Sequence, residues 1–292
     1  MIEHIRERND GLPERSPLGV IDVWAQIITE RMARRPWLEP LMRWTGRAPG
    51  QIFETNIADT LAAMDEAGIG ISLLSAWHGP EGSLISNDEV AAQIEAAPSR
   101  FRGLATVNLN SPMEAVREIR RWVDGKHFVG VRVVPWLWDL PPNHRLYYPI
   151  YAACIEANVP FCTQIGHTGP LRRSEVGRLI PYLEDVLLDF PELIVVGGHV
   201  GYPWLDELTT LSIKFPNFYV DTSAYTLRRL PASFVDWMKS VGQKRVMFGT
   251  NWPMLHPSNC LKGIESLGLS EVQKAAFLSD NARRVFRLAE AG

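Results

Sequence analysis

FVGVRVVP, residues 128–135, is an apolar run interrupted by one charged residue, Arg132. Valine-rich runs without strict alternation are what strands buried on both faces require. Seven other runs have the same character: GVIDV (19–23), GIGISLLSA (68–76), RGLATVNL (102–109), VPFCTQIG (159–166), LIVVGGHV (193–200), NFYVDTS (217–223) and KRVMFGT (244–250). Helical segments lie between them. In SPMEAVREIRRWVDG (111–125), Ser111 is the cap, Pro112 the first turn, Glu114 the partner in a capping box, and Gly125 the stop. NDEVAAQIEAAP (87–98) is capped by Asn87 or Ser86, a third helix runs from Ile150 to Ala157, and a fourth, DVLLDF (185–190), stops at Pro191.

Eight strand–helix units predict an α/β protein, a single-domain (β/α)8 TIM barrel spanning residues 19–292. Residues 1–18 read as an N-terminal arm, and 30–55 as an insertion after strand one. The competing architecture, a two-domain doubly wound protein, lacks a Gly-x-Gly-x-x-Gly turn after any of these runs. VPWLWDLPPNHRLYYP (134–149) is too irregular for a helix and too aromatic for a linker, so it is expected to cover one end of the barrel.

Hydrophobic residues make up 46% of the 292, enough for a large core, and the net charge is −3. That balance gives no reason to expect nucleic acid or an anionic membrane as partner. No window is long enough to span a membrane, and MIEHIRERND has no apolar stretch of the kind a secretory signal needs. The three cysteines, Cys154, Cys162 and Cys260, read as buried thiols in a reducing compartment, so the expected location is the cytoplasm.

Barrels of this kind carry their chemistry where strands end. Those positions hold Asp22, Trp24 and Gln26; Trp77 and His78; Asn108; Arg132, Trp136 and Trp138; Gln164 and His167; His199; Asp221; and Asn251 and Trp252. Five of the ten tryptophans fall here, which suggests a pocket that stacks a flat ligand.

SNDEVAA…PSRFRGLATVNL (86–109), FVGVRVVP, VPFCTQIG, IVVGGHVGYPW (194–204), NFYVDTS, MFGTNWPM (247–254) and DNARRVFRL (280–288) resemble, in order, the amidohydrolase-2 family. That family includes aminocarboxymuconate-semialdehyde decarboxylase, resorcylate decarboxylases and pyrone-dicarboxylate lactonase. The resemblance implies a barrel enzyme acting on small, often aromatic or carboxylated, carbon skeletons. It also implies a metal centre, and there this sequence departs. The family's first-strand His-x-His pair falls on Trp24 and Gln26, its strand-five His on Gln164, and its strand-eight Asp on Asn251; only the strand-six His is kept, as His199. Amides are weak ligands and indole is none. The expectation is therefore a site with no metal and no other cofactor. The alternative is a metal held by a new set, His78, His167, His199 and Asp221.

Without a metal, the leading expectation is a hydrolase of a small cyclic or aromatic carboxylated substrate: a lactone, ester or amide. His199 serves as general base. Asp221 either orients it or merely caps a turn. Asn251 acts as an oxyanion donor, with Gln26 and Gln164 as further neutral amides, unless these only satisfy one another. Arg132 either clamps a substrate carboxylate or pairs with a protein acid. Trp24, Trp77, His78, Trp136, His167 and Trp252 complete the expected substrate contacts. Two alternatives stay open: a non-hydrolytic lyase, decarboxylase or dehydratase, of an aromatic or unsaturated acid, and a non-catalytic ligand-binding pseudoenzyme. The expected partner is a small molecule, and a homodimer is one open assembly state.

Overall fold

The strands are β1 (Val20–Ala25), β2 (Ile69–Ser75), β3 (Trp77–Gly79), β4 (Gly82–Ile85), β5 (Phe101–Ala105), β6 (Phe128–Arg132), β7 (Phe161–Gln164), β8 (Val195–Gly198), β9 (Phe218–Asp221) and β10 (Val246–Met247). The structure, a computed structural model, describes residues 19–46 and 54–288. The expected N-terminal arm (1–18) lies outside the described residues, as does part of the expected insertion.

Eight strands form one parallel sheet in the order β1-β2-β5-β6-β7-β8-β9-β10. The sheet closes on itself. Val23 N donates to Phe248 O at 3.0 Å, Asn251 N to Trp24 O at 2.8 Å, and Gln26 N to Trp252 O at 3.0 Å, so the seam between the first and last strands is hydrogen-bonded like the rest. This is the expected TIM barrel; six of its strands lie inside predicted runs, while β1 runs two residues past 19–23 and β5 starts one residue before 102–109. One apolar cluster takes Ile21, Ile71, Leu104, Val129, Cys162, Val196 and Met247, with Tyr219 packed against it. Side chains from all eight barrel strands can meet only in the barrel interior. Among the described residues no helix is long and apolar enough to cross a membrane.

Local expectations fare unevenly. Ser86 caps the helix Asn87–Ala96 and forms a reciprocal capping box with Glu89. Ser111 does not do the same: the helix Pro112–Trp122 starts after it with no side-chain cap bond, and ends three residues before Gly125. Proline at the first helical position needs no donor partner, which removes one of the groups a cap would satisfy. The third helix begins two residues early, at Tyr148, and the fourth at Tyr182. The 134–149 loop is more regular than expected, with a helical turn at Pro135–Trp138 and a 3-10 turn at Arg145–Tyr147. The antiparallel pair β3–β4 has no counterpart in the sequence reading. Cys154, Cys162 and Cys260 are free and buried, as expected.

Close packing makes some strand positions intolerant. A Cβ at Gly103 in β5 would come within 2.6 Å of the Phe128 ring in β6, a ring itself 2% exposed. Gly103→Ala is expected to lower unfolding free energy by about 1–3 kcal/mol, measured by urea denaturation; an unchanged midpoint would contradict the packing described.

Candidate functional site

At the C-terminal ends of the barrel strands lies a cavity of about 520 Å³. Its floor holds Gln26 (after β1), Gln164 (end of β7), His199 (after β8) and Asn251 (after β10). Trp77, Trp136 and His167 also line it. Seven of the residues singled out from the sequence thus meet in one cavity.

Behind the floor is a stack of three groups from three strands. The Arg132 guanidinium lies 3.7 Å from the centre of the Trp24 ring. The other neighbour of that ring is His199, 4.3 Å away between centroids and tilted by 37°. Trp24 and Arg132 are 0% and 1% exposed and do not line the cavity. Gly198 is required here, because a Cβ on it would fall on the Trp24 ring. Arg132 donates to Ser75 Oγ and, at 3.1 Å, to Val23 O. No carboxylate ion-pairs with it among the described residues. Of the two nearby acids, burial pushes Asp22 up to about 7 and raises Asp221 as well, the latter against the lowering effect of the Arg132 charge. The expected carboxylate clamp is therefore corrected. Arg132 is buried against the Trp24 ring and does not line the cavity, so its guanidinium acts on the site through its positive field.

The direct His199–Asp221 dyad is also corrected. Ser223 stands between the two. Asp221 Oδ1 accepts from Ser223 N at 2.9 Å and from Ser223 Oγ–H. With that hydroxyl proton committed, Ser223 Oγ must accept from His199 Nδ1, 2.7 Å away. The chain of bonds leaves Nε2 with its lone pair. Burial first, and then the positive charge of Arg132, bring the His199 pKa down to about 3, so near neutrality the ring is uncharged. His199 and Asn251 hold φ of 73° and 65°, as does Ala224 (65°), which also lines the cavity. Left-handed backbone at a non-glycine residue costs energy and concentrates at functional sites.

The amides are partly tied to the protein. Gln26 Nε2 donates to Asn251 Oδ1 at 3.1 Å, and its Oε1 is buried without a partner. Gln164 accepts from Trp136 Nε1 and donates to His167 O at 2.9 Å. Besides Trp24 and Arg132, two further expected contacts are withdrawn from this cavity. His78 stacks on Trp138, with 5.9 Å between centroids and 6° between planes, and Trp252 Nε1 donates to Thr60 Oγ1 at 3.1 Å. The new set proposed for a metal does not form either: among the described residues no three His, Cys, Asp or Glu side chains are grouped to hold an ion.

Several lining residues escaped the sequence reading. Trp37, Leu41 and Trp44, from the insertion, build one wall. Their i, i+4, i+7 spacing in PWLEPLMRW (36–44) is a helical face that was there to be read. Tyr225 and Arg229, in the loop after β9, carry no comparable signal.

Residues 21–288 match the family model described as amidohydrolase. The chain belongs to the amidohydrolase family. It is 25% identical to the gamma-resorcylate decarboxylase of Rhodococcus jostii over 70% of this chain and 75% of that protein. It is 23% identical to the gamma-resorcylate decarboxylase of Rhizobium sp. strain MTP-10005 over 86% and 95%. Among solved structures, an uncharacterized TIM-barrel protein of Bordetella bronchiseptica superposes with a TM-score of 0.79 at 24% identity, covering 92% of this chain and 98% of that one. The 5-carboxyvanillate decarboxylase of Novosphingobium aromaticivorans, solved with manganese and 4-hydroxy-3-methoxy-5-nitrobenzoic acid, gives 0.70 at 18% over 92% and 96%.

These relatives overturn the expectation of a metal-independent hydrolase, because the curated ones are decarboxylases; one solved neighbour was determined with manganese. The residues of this chain do not fit such an ion where the family's ligands would fall. The donors there are one imidazole and one unpartnered amide oxygen, beside an indole and a buried guanidinium.

The buried charge balance can be tested. Removing Arg132 strands two acids whose folded pKa already exceeds the unfolded value. A raised pKa contributes stability below the unfolded value, about pH 4, that is lost as pH rises towards the folded one. Arg132→Met is expected to destabilise by about 3–5 kcal/mol at pH 8 and by clearly less at pH 5, in urea unfolding at both values. An equal cost at the two would contradict the coupling.

Proposed function

We propose that this protein is a lyase that decarboxylates an aromatic acid in the cavity at the strand ends. One observation carries the reading: an imidazole whose Nδ1 is committed to Ser223, leaving Nε2 free to accept, lines an aromatic-walled cavity whose floor is otherwise neutral amides. The decarboxylase relatives, aligned over most of the chain, support it.

The reaction needs no oxidant. The bond between ring carbon and carboxylate breaks, its electron pair stays on the ring carbon, that carbon takes one proton, and CO2 leaves. A ring hydroxyl beside the carboxylate pushes electron density towards the carbon to be protonated. His199 Nε2 is placed to accept the proton of that hydroxyl as charge develops, and the Ser223–Asp221 chain holds the ring in the required tautomer. His167 lines the same cavity and offers a second imidazole for proton delivery. Trp77 and Trp136 supply flat walls for an aromatic ring. Among the described residues that line the cavity, no lysine or arginine belongs to the strand-end floor. A carboxylate is therefore held there less tightly than in an ion pair, and what is stabilised less in the ground state is released more readily.

The test is incubation with 2,6-dihydroxybenzoate, 5-carboxyvanillate and a panel of other hydroxylated benzoic acids. CO2 and the decarboxylated arene should appear in equal amounts. His199→Gln should lower kcat by roughly 10²–10⁴-fold while ligand affinity, read from tryptophan fluorescence, stays within a few-fold. Absence of CO2 across the panel, or ligand binding with no turnover, would overturn the reading.

A further inference from the structure

The cavity is larger than a single benzoic ring needs. At about 520 Å³ it lies within the roughly 300–1,000 Å³ typical of sites for drug-sized ligands. Its polarity is also divided. The polar groups Gln26, Gln164, His199 and Asn251 gather at the strand ends, whereas Met32, Trp37, Leu38, Leu41, Met254 and Leu255 make a broad apolar wall. Among the described residues no aspartate or glutamate lines it.

Arg229 does line it, from the 3-10 turn Leu227–Arg229 that follows β9. Arg229 is exposed as well as lining, so it stands at the open end. Among the described residues its side chain has no ion pair or hydrogen bond. Other arginines of this chain do have partners: Arg31 pairs with Glu89, Arg100 with Asp65 and Arg178 with Glu207. The adjoining groove, which shares Trp44, His167, Gly169 and Pro170 with the cavity, adds Arg172 and Arg173. A planar guanidinium without a partner, facing an acid-free cavity, suits bidentate binding of a carboxylate.

We infer that the substrate is an extended aromatic diacid: one carboxylate reacts at the strand ends, an apolar body lies along the insertion wall, and a second carboxylate is held at the mouth by Arg229. The assignment of the inner carboxylate as the reacting one rests on the decarboxylase reading; recognition of the outer one does not.

The test is therefore a binding measurement. Titration calorimetry at low salt compares biphenyl-4,4′-dicarboxylate with biphenyl-4-carboxylate, on the wild-type protein and on Arg229→Gln and Arg229→Lys. The diacid should bind the wild type at least tenfold more tightly than the monoacid. Arg229→Gln should abolish that preference, weakening the diacid at least tenfold and the monoacid less than twofold. Arg229→Lys should restore part of it, because the charge returns without the planar fork. An unchanged thermal midpoint in both variants shows that the fold is intact. Equal affinity for the two acids, equal weakening of both by Arg229→Gln, or no measurable diacid binding would overturn the proposal. A diacid preference that depends on Arg229 in a protein that releases no CO2 would leave the recognition standing and remove only the reaction.

Discussion

The stack of Arg132, Trp24 and His199 is the constraint around which the upper half of the barrel is organised. A guanidinium at 1% exposure, with no ion pair to a carboxylate among the described residues, is costly to bury. Three things offset that cost. The indole face lies against it at 3.7 Å, Ser75 and the Val23 carbonyl accept from it, and the nearby Asp221 and Asp22 carboxyl groups favour its charge. Because the indole is wedged between guanidinium and imidazole, its position fixes others. Residue 198 has to be glycine, and the next residue, His199, sits in left-handed backbone beyond the end of β8.

From that placement follows the chemistry available at the floor. His199 Nδ1 is committed to Ser223, and the positive charge two layers down discourages a second proton on the ring. The residue therefore behaves as an acceptor when the cavity is empty. An anionic ligand above the ring would oppose the field of Arg132 and bring the imidazole back towards its ordinary range. Charge below and charge above thus set the protonation of the one ionisable group between them, and a substrate can prime the residue that acts on it.

The fold was legible because eight apolar runs at regular intervals admit few architectures, and the rim positions were legible because a parallel barrel forces strand ends to one face. What periodicity cannot show is depth. Alternation puts Arg132 inside the barrel but does not say that Trp24 will lie over it, so an apparent substrate clamp is a structural cation. Nor does spacing show that a serine two residues past Asp221 will intervene between acid and imidazole. His78 and Trp252 were misplaced for a related reason. Each follows a strand directly, yet β3 carries His78 off against Trp138, and Trp252 turns out to reach Thr60. Arg229 is the opposite case, a loop residue with no pattern around it, visible only once the loop is folded against the cavity.

The departures at Trp24, Gln26, Gln164 and Asn251 are easier to understand together than singly. An indole cannot replace a ligand unless the space it enters tolerates a large apolar ring, and here that ring is held by the guanidinium beneath it. Once the ring is in place, a dication next to it would face Arg132 across a single layer of carbon, where the dielectric is low and repulsion strong. Neutral amides at Gln26, Gln164 and Asn251 are the substituents that create no further uncompensated charge. Gln26 and Asn251 bond to each other, and Gln164 to Trp136 and the His167 carbonyl, so the floor is largely self-satisfied before any ligand arrives. A floor built this way selects ligands by shape and by hydrogen bonding at Nε2 of His199, and leaves the recognition of charge to residues further out.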